Sequence, residues 1–343
     1  MLKADARSLH FNGEFMTRKR VLSGMRPTGR LHMGHLFGAL DNWRKLQETF
    51  DCFFFIADWH ALTTDYADPS KVKEFTTEVV LDWLAAGLDP KKATFFVQSR
   101  MPEHAELHLL FSMFTPLAWL ERVPTYKEQR EQITDKDLST YGFLGYPLLQ
   151  AADILIYKAH YVPVGVDQVP HVELTREVAR RFNFLYANVL LEPEALLTEF
   201  PKIPGTDGRK MSKSYDNAIF LSDPPETVTA KIKPMITDPA RQRRKDPGNP
   251  ELCPVFDLHK VFAPEAEREG VIVPGCTSAG IGCLDCKAIL LKHALPVLTP
   301  VYERRAEFAK DPDAVRAILD EGVTRARAAA GQTLQDVKAA MRI

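Results

Sequence analysis

No apolar run in this 343-residue chain approaches the roughly 18 to 20 residues needed to cross a bilayer. The opening stretch MLKADARSLHFNGEFMTRKR has no apolar signal core either. No membrane anchor or secretory leader is expected, and the sequence predicts a cytoplasmic protein. Net charge is almost absent, −1 from 44 basic and 45 acidic residues, which excludes the wholesale basic surface of small nucleic-acid binders. Any RNA contact must come from local patches: Arg241, Arg243, Arg244 and Lys245, or Arg176, Arg180 and Arg181. The bland reading of each patch is a solvated helix face or loop. Cysteine is scarce, at five residues, and in a reducing compartment these do not read as disulfides. There is no internal repeat and no low-complexity tract. What remains is an ordinary globular composition, 45% hydrophobic and 26% charged, long enough for one sizeable domain and a smaller second one.

Two phrases stand out, GRLHMGHL (Gly29 to Leu36) and GRKMSKS (Gly208 to Ser214), with about half the chain between them. His32 and His35, three apart at the mouth of a helix, can both face a phosphate chain resting on that helix's free backbone N–H groups. Lys210 and Lys213, three apart on a glycine-flanked loop, can reach the same phosphates from the opposite side. Taken together they predict ATP handling. A lone histidine at a helix start is more often a cap, and it is the pairing with distant lysines that favours function. HMGH and KMSKS are similar to the two signature phrases of class I aminoacyl-tRNA synthetases.

Around these phrases, strands and helices alternate. Val21 to Gly24 reads as a short buried strand, followed by the MRPTGR turn and a helix with Leu36, Leu40, Trp43 and Leu46 on one face. Cys52 to Asp58 is an apolar run of strand length. Val72, Phe75, Val79 and Trp83 mark a helix closed by Gly87, Ala93 to Ser99 a third strand, and Glu103 to Leu117 another helix. Strands apolar on both faces and alternating with helices predict an α/β fold, a Rossmann-type doubly wound parallel sheet, followed by a smaller C-terminal helical domain. The expected divisions are a polar tail (1–17), a catalytic domain (18–217) and a helical domain (218–343) whose last helix, about Asp313 to Arg342, can pack back on the first. In such sheets ligands sit at the carboxyl ends of the strands, where Asp58, Trp59, His60 and Gln98 fall.

The segment YPLLQAADILIYKA, Tyr146 to Ala159, reads as a helix with Pro147 in its first turn. Tyr146, Gln150, Asp153 and Tyr157, at spacings of 4, 3 and 4, share one face. A carboxylate in so apolar a helix costs several kcal/mol to bury unless something donates to it, as a typical order of magnitude. Asp153 therefore needs a donor: a core salt bridge or cap on the bland reading, a ligand N–H or phenol O–H beside an ATP site. The following YVPVGVDQ gives a strand ending at Gly165, where a ribose or adenine can approach the backbone, and Asp167, which can accept from sugar hydroxyls.

SGMRPTGRLHMGH, ADWHALTT, YPLLQAAD, VPVGVDQ and PGTDGRKMSKSYDN together resemble tryptophanyl-tRNA synthetases, specifically from about Val21 to Asn217 and more loosely to the end. The resemblance implies a homodimer that activates L-tryptophan with ATP and magnesium and transfers it to tRNA(Trp). His32, His35, Lys210 and Lys213 would be catalytic. ATP would lie against Arg26, Pro27, Thr28, Gly34, His35, Gly165, Val166, Asp167, Ile203, Lys210, Met211, Ser212, Lys213 and Ser214. Tryptophan would sit over Asp153, with Tyr146, Gln150, His60, Val162, Val164 and Gln168 around it. His60 has its own bland reading, a satisfied core histidine. The chain departs from the family where Arg26 replaces a frequent Gln and Gln150 a frequent Met. Gly205 and Gly208 suggest a loop that closes after binding.

Cys253, Cys276, Cys283 and Cys286 are separated by 22, 6 and 2 residues. Four thiolates satisfy either tetrahedral zinc or an iron–sulfur cluster, and spacing does not separate these from four free thiols. A subset of tryptophanyl-tRNA synthetases is similar in carrying the 22-6-2 pattern, which by resemblance implies a [4Fe–4S] cluster. Cys52, inside a strand, reads as core. The competing readings of the whole chain are a tyrosyl-tRNA synthetase, since a Tyr-Gln-Asp face also suits a phenol, a small-molecule adenylyltransferase, and a synthetase-like paralogue with a binding or regulatory role.

Overall fold

The computed structural model describes residues 18–133, 136–197 and 203–343. The expected polar tail, and Pro201 and Lys202 of the loop before the lysine phrase, lie outside the described residues. Five strands, β1 (Arg20–Met25), β2 (Asp51–Ile56), β3 (Ala93–Val97), β4 (Tyr161–Val164) and β5 (Glu194–Leu197), form one parallel sheet in the order β3-β2-β1-β4-β5. The inner strands β1 to β3 are apolar on both faces because both faces are covered, whereas the edge strand β5 is partly exposed. Val21, Cys52, Phe54, Ile56, Phe95 and Val97 enter one hydrophobic cluster, while Leu22, Phe53, Phe55 and Phe96 enter the other. The strand order reverses between β1 and β4, so a crevice opens there beyond the carboxyl ends of the strands.

Several element boundaries differ from those expected. The helix predicted to begin at Tyr146 runs Tyr141–Leu155: Thr140 caps it by accepting from the Phe143 N–H at 3.2 Å, and Pro147 lies inside it. Tyr157 lies beyond its end, fully buried. The helix predicted from Glu103 to Leu117 is split into Pro102–Ser112 and Leu117–Glu121, because Pro116 holds an extended backbone between them. β2 stops at Ile56, and Asp58 instead opens a short helix, Asp58–Asp65.

The chain beyond the lysine phrase is helical, and its two long helices pack on the sheet layer. Cys283–Ala309 lies against the helix Val72–Ala85, and Pro312–Met341 lies against β3 and the helix Pro102–Ser112. Leu290, Ala294 and Val301 complete one hydrophobic cluster; Val323, Ala326 and Leu334 complete the other. Gly322 is where the last helix comes closest, since a Cβ there would run into the Phe95 backbone. Overpacking at such a backbone contact costs about 1–3 kcal/mol. Gly322→Ala is expected to lower stability in urea unfolding, whereas Gly331→Ala, where a Cβ on the same helix meets nothing, is expected to raise it by up to about 1 kcal/mol.

Candidate active site

The two phrases meet. Leu31 and Met33 exchange backbone hydrogen bonds with Leu221 and Ile219 at 3.0 Å each, and His32 forms an antiparallel bridge with Phe220. The chain just beyond the lysine phrase is thus stitched to the histidine phrase. His32 caps the helix start by accepting from Gly34 N–H through Nδ1 at 3.1 Å, and His35 Nδ1 accepts from the His32 N–H at 3.2 Å. With both Nδ1 atoms accepting, each neutral ring carries its proton on Nε2 and offers that N–H outward. The ring centroids are 3.9 Å apart.

Lys213 Nζ would be 3.2 Å from a Cβ at Gly29, a position whose φ of +127° itself favours glycine. The electrostatics record the same convergence. Burial, then the charges of Lys213 and Lys210, push His32 down to about 4. Burial, then His32 and Lys213, push His35 down to about 3. Lys213 itself is lowered by burial to about 8, with the Asp82 carboxylate opposing that shift. Lys210 and Ser214 are exposed, while Met211 is buried beneath them beside Ile203. Asn217 fixes the loop: it accepts from the Ser212 N–H at 2.8 Å and donates to Asp207 at 2.7 Å and to the Lys210 carbonyl at 3.2 Å. The result is a concentration of N–H donors and ammonium groups suited to a polyphosphate.

Beside it, at the switch between β1 and β4, lies a cavity of about 380 Å³, within the usual size of a small-molecule site. Arg26, His60, Tyr146, Gln150, Asp153, Val162, Val164, Gly165 and Gln168 all line it. Asp153 is fully buried, and its donors are supplied by the protein. His60 Nε2 lies 2.7 Å from Oδ2, His104 Nδ1 lies 2.7 Å from Oδ1, and the Gln98 amide donates to both oxygens at 2.8 and 3.0 Å. Burial alone would push this carboxyl up; the hydrogen bonds from His104 and His60 outweigh it and hold it well below the usual carboxylate range. Tyr146 shares its hydroxyl with Thr125 at 2.9 Å and His171 Nε2 at 3.2 Å.

Of the other expected ATP contacts, Asp167 and Val166 are exposed at the rim, and Arg26 donates to Thr64 at 2.5 Å. Pro27 and Thr28 continue the turn toward Gly29. His104, His171 and Thr125 are polar partners that the pattern reading missed. His104 follows the end of β3 by only a few residues, and its place at a strand's carboxyl end was the available signal.

A family model described as tRNA synthetases class I (W and Y) matches residues 16–290. The chain belongs to this family. It is 57% identical over 325 residues to the tryptophan–tRNA ligase of Thermotoga maritima, covering 94% of this chain and 99% of that protein. It is 48% identical to that of Ralstonia nicotianae, covering 95% and 99%. Among solved structures it resembles the tryptophanyl-tRNA synthetase of Campylobacter jejuni complexed with ADP and tryptophan, with a TM-score of 0.86 and 34% identity over 94% of this chain and 100% of that one.

Elsewhere in this synthetase, Cys253, Cys276, Cys283 and Cys286 line one small cavity with Arg241 and Asp238. Cys286, which also contacts His259 Nε2 at 3.3 Å, is pushed up to about 12 by burial and then by the neighbouring thiols. Among the described residues, no three His, Cys, Asp or Glu side chains are arranged to hold a single metal ion. Arg241 is not a free RNA contact: it is buried and donates to the Arg244 and Ile281 carbonyls at 2.9 and 2.8 Å. Arg176 and Arg180 are paired with Glu192, Arg181 donates to the Phe114 carbonyl and Arg244 to the Ala279 carbonyl, while Arg180, Arg181, Arg243, Arg244 and Lys245 are all exposed. Among the described residues no helix is long and apolar enough to cross a membrane.

An unfolded histidine titrates near 6.5, so between about pH 6.5 and pH 4 the unfolded chain binds protons that His32 and His35 refuse in the fold. Their contribution to stability therefore falls as pH drops through that window. Imidazole NMR resonances, assigned with His32→Asn and His35→Asn, are expected to show both rings neutral and protonated at Nε2 down to about pH 5. Titration of either ring near 6.5 would contradict the geometry.

Proposed function

We infer that this chain is a tryptophan–tRNA ligase. It activates L-tryptophan with ATP to tryptophanyl-adenylate and pyrophosphate, then transfers the acyl group to the 3′ adenosine of tRNA(Trp). The observation that carries this reading is the meeting of His32, His35 and Lys213 beside a cavity floored by one buried acid. No protein nucleophile is needed. The carboxylate oxygen of tryptophan attacks the α-phosphate, the bond to the bridging oxygen breaks, and the negative charge leaves with pyrophosphate. The protein's work is alignment and stabilisation of that moving charge.

In this reading the neutral imidazoles of His32 and His35 donate from Nε2, while Lys210 and Lys213 bring positive charge to the departing phosphates. Arg26, Pro27, Thr28 and Gly34 border the nucleotide on one side; Gly165, Val166, Asp167, Ile203, Met211, Ser212 and Ser214 border it on the other. Magnesium carried on the phosphates would neutralise part of their charge. Tryptophan would lie in the cavity at β1 and β4, against Val162 and Val164, with Tyr146, Gln150, His60 and Gln168 at its polar edges. Asp153 already accepts four hydrogen bonds from His60, Gln98 and His104, so an indole N–H would reach it by taking over or sharing one of the two that Gln98 makes.

The helical residues 218–343 would read the anticodon, with the exposed Arg243 and Lys245 beside Arg244 available to phosphates. A second copy would cover the apolar surface formed by Leu109, Met113, Leu117, Phe184 and Tyr186, all exposed, since the Phe114 and Tyr186 rings in contact join the two segments. The four cysteines line one cavity, and thiolates are the donor type that a [4Fe–4S] cluster or zinc takes, although the side chains would have to draw together to hold either. Such a cluster would tie the loop at Cys253 and Cys276 to the start of the helix Cys283–Ala309. Protein purified without oxygen is expected to be brown, to absorb near about 400 nm and to contain iron; zinc without iron would reverse that assignment.

ATP–pyrophosphate exchange is expected with tryptophan and not with tyrosine, and the reverse would make the chain a tyrosine enzyme. Lys213→Ala is expected to slow adenylate formation by roughly 100-fold or more while tryptophan binding changes little. Equal losses in both would contradict the proposed role.

A further inference from the structure

Behind the histidine phrase sits a second buried acid that the reaction as described does not use. Asp82, on the helix Val72–Ala85, has no exposed side-chain surface. One carboxylate oxygen accepts from the Leu31 backbone N–H at 2.8 Å, immediately before His32. The other accepts from Arg305 Nε at 2.6 Å. The Arg305 guanidinium also donates to Glu78 at 2.7 Å, and Glu78 accepts from Arg30 at 3.0 Å. Residues 30 and 31 of the phosphate-facing turn are thereby held, through two acids on one helix, by a single arginine of the C-terminal helix Cys283–Ala309.

We propose that Asp82 and Arg305 are positioning residues for adenylate formation: Arg305 orients the Asp82 carboxylate, and the carboxylate sets the position of Leu31 and so of the His32 imidazole. Neither side chain lines the cavity at the β1–β4 switch. The physical case rests on the cost of each group alone. A buried carboxylate without its arginine is an unpaired charge, which relaxes by protonation or rotation, and either response alters what the Leu31 N–H meets. Burial already raises the Asp82 carboxyl to about 6 even with Arg305 present, so the pair is finely balanced. The same carboxylate is felt by Lys213 across the site, so its charge and its geometry bear on both phrases. A displacement of about 1 Å in a catalytic group can cost roughly 100-fold in rate, and a lost Leu31 contact acts on that scale.

This inference rests on the reading that His32, His35 and Lys213 handle ATP, and the experiment separates the two. Single-turnover adenylate formation, the KM for tryptophan and for ATP, and the melting temperature are measured for Arg305→Met, Arg305→Lys, Asp82→Asn and Lys213→Ala. The expected result is a roughly 10- to 100-fold slower adenylate step in Arg305→Met, a tryptophan KM within about twofold of the parent, and partial recovery in Arg305→Lys, which restores charge but not the planar fork. Asp82→Asn, which keeps an acceptor for Leu31, is expected to resemble Arg305→Met. If Asp82→Asn does not fold, the two arginine variants carry the test. An adenylate rate within about twofold of the parent in Arg305→Met overturns the proposal, as does a loss that moves every parameter together with the melting temperature. If Lys213→Ala is slow and Arg305→Met is not, only the positioning role fails; if Lys213→Ala is fully active, the ATP reading itself fails.

Discussion

Leu31 and Met33 are joined by backbone hydrogen bonds to Leu221 and Ile219, and this short antiparallel pairing brings together two segments that half the chain separates. Its electrostatic consequence is a crowd of basic groups with little acid among them. Burial, reinforced for His32 and His35 by the neighbouring positive charges, keeps both imidazoles neutral, and burial lowers Lys213 to about 8. Positive charge is therefore retained on ammonium groups near solvent, while the buried imidazoles serve as uncharged donors. A polyanion entering this space supplies the charge that the apo site lacks.

The cavity beside it is organised on the opposite plan. The cavity at the β1–β4 switch point is lined mainly by strand ends and by the helix Tyr141–Leu155, rigid elements whose positions the hydrophobic clusters determine. Asp153 is kept ionised there by His60, Gln98 and His104, each from a different element. A carboxylate held from three directions cannot rotate to suit a ligand. A ligand with a single correctly placed donor is favoured over one without it, which is how buried polar groups produce selectivity.

The C-terminal helices connect these features. Cys283 and Cys286 sit in the first turn of a helix whose Arg305, about 28 Å further along at 1.5 Å per residue, reaches Asp82 beneath the histidine phrase. Its successor, Pro312–Met341, completes the hydrophobic cluster that backs Asp153. The region that reads as a separate helical domain from composition is in this respect part of the core of the sheet layer.

Local order made much of this legible. Strands apolar on both faces, the HMGH and KMSKS spacings and the isolated acid of YPLLQAAD are properties of neighbouring residues, and they sufficed to indicate a parallel α/β sheet, the convergence of the two phrases and a buried acid that needs donors. Helix ends were less legible: Thr140, not Pro147, starts the long helix, because a cap seven residues upstream of the proline outweighs its preference for a first turn. Folding alone determined the partners of the buried charges. Asp153 announced that it needed donors, yet His104 and Gln98 are 49 and 55 residues away, and Asp82 and Arg305 are separated by 223. Hydrophobic periodicity specifies which face turns inward, but charge pairing across elements depends on where those faces finally meet.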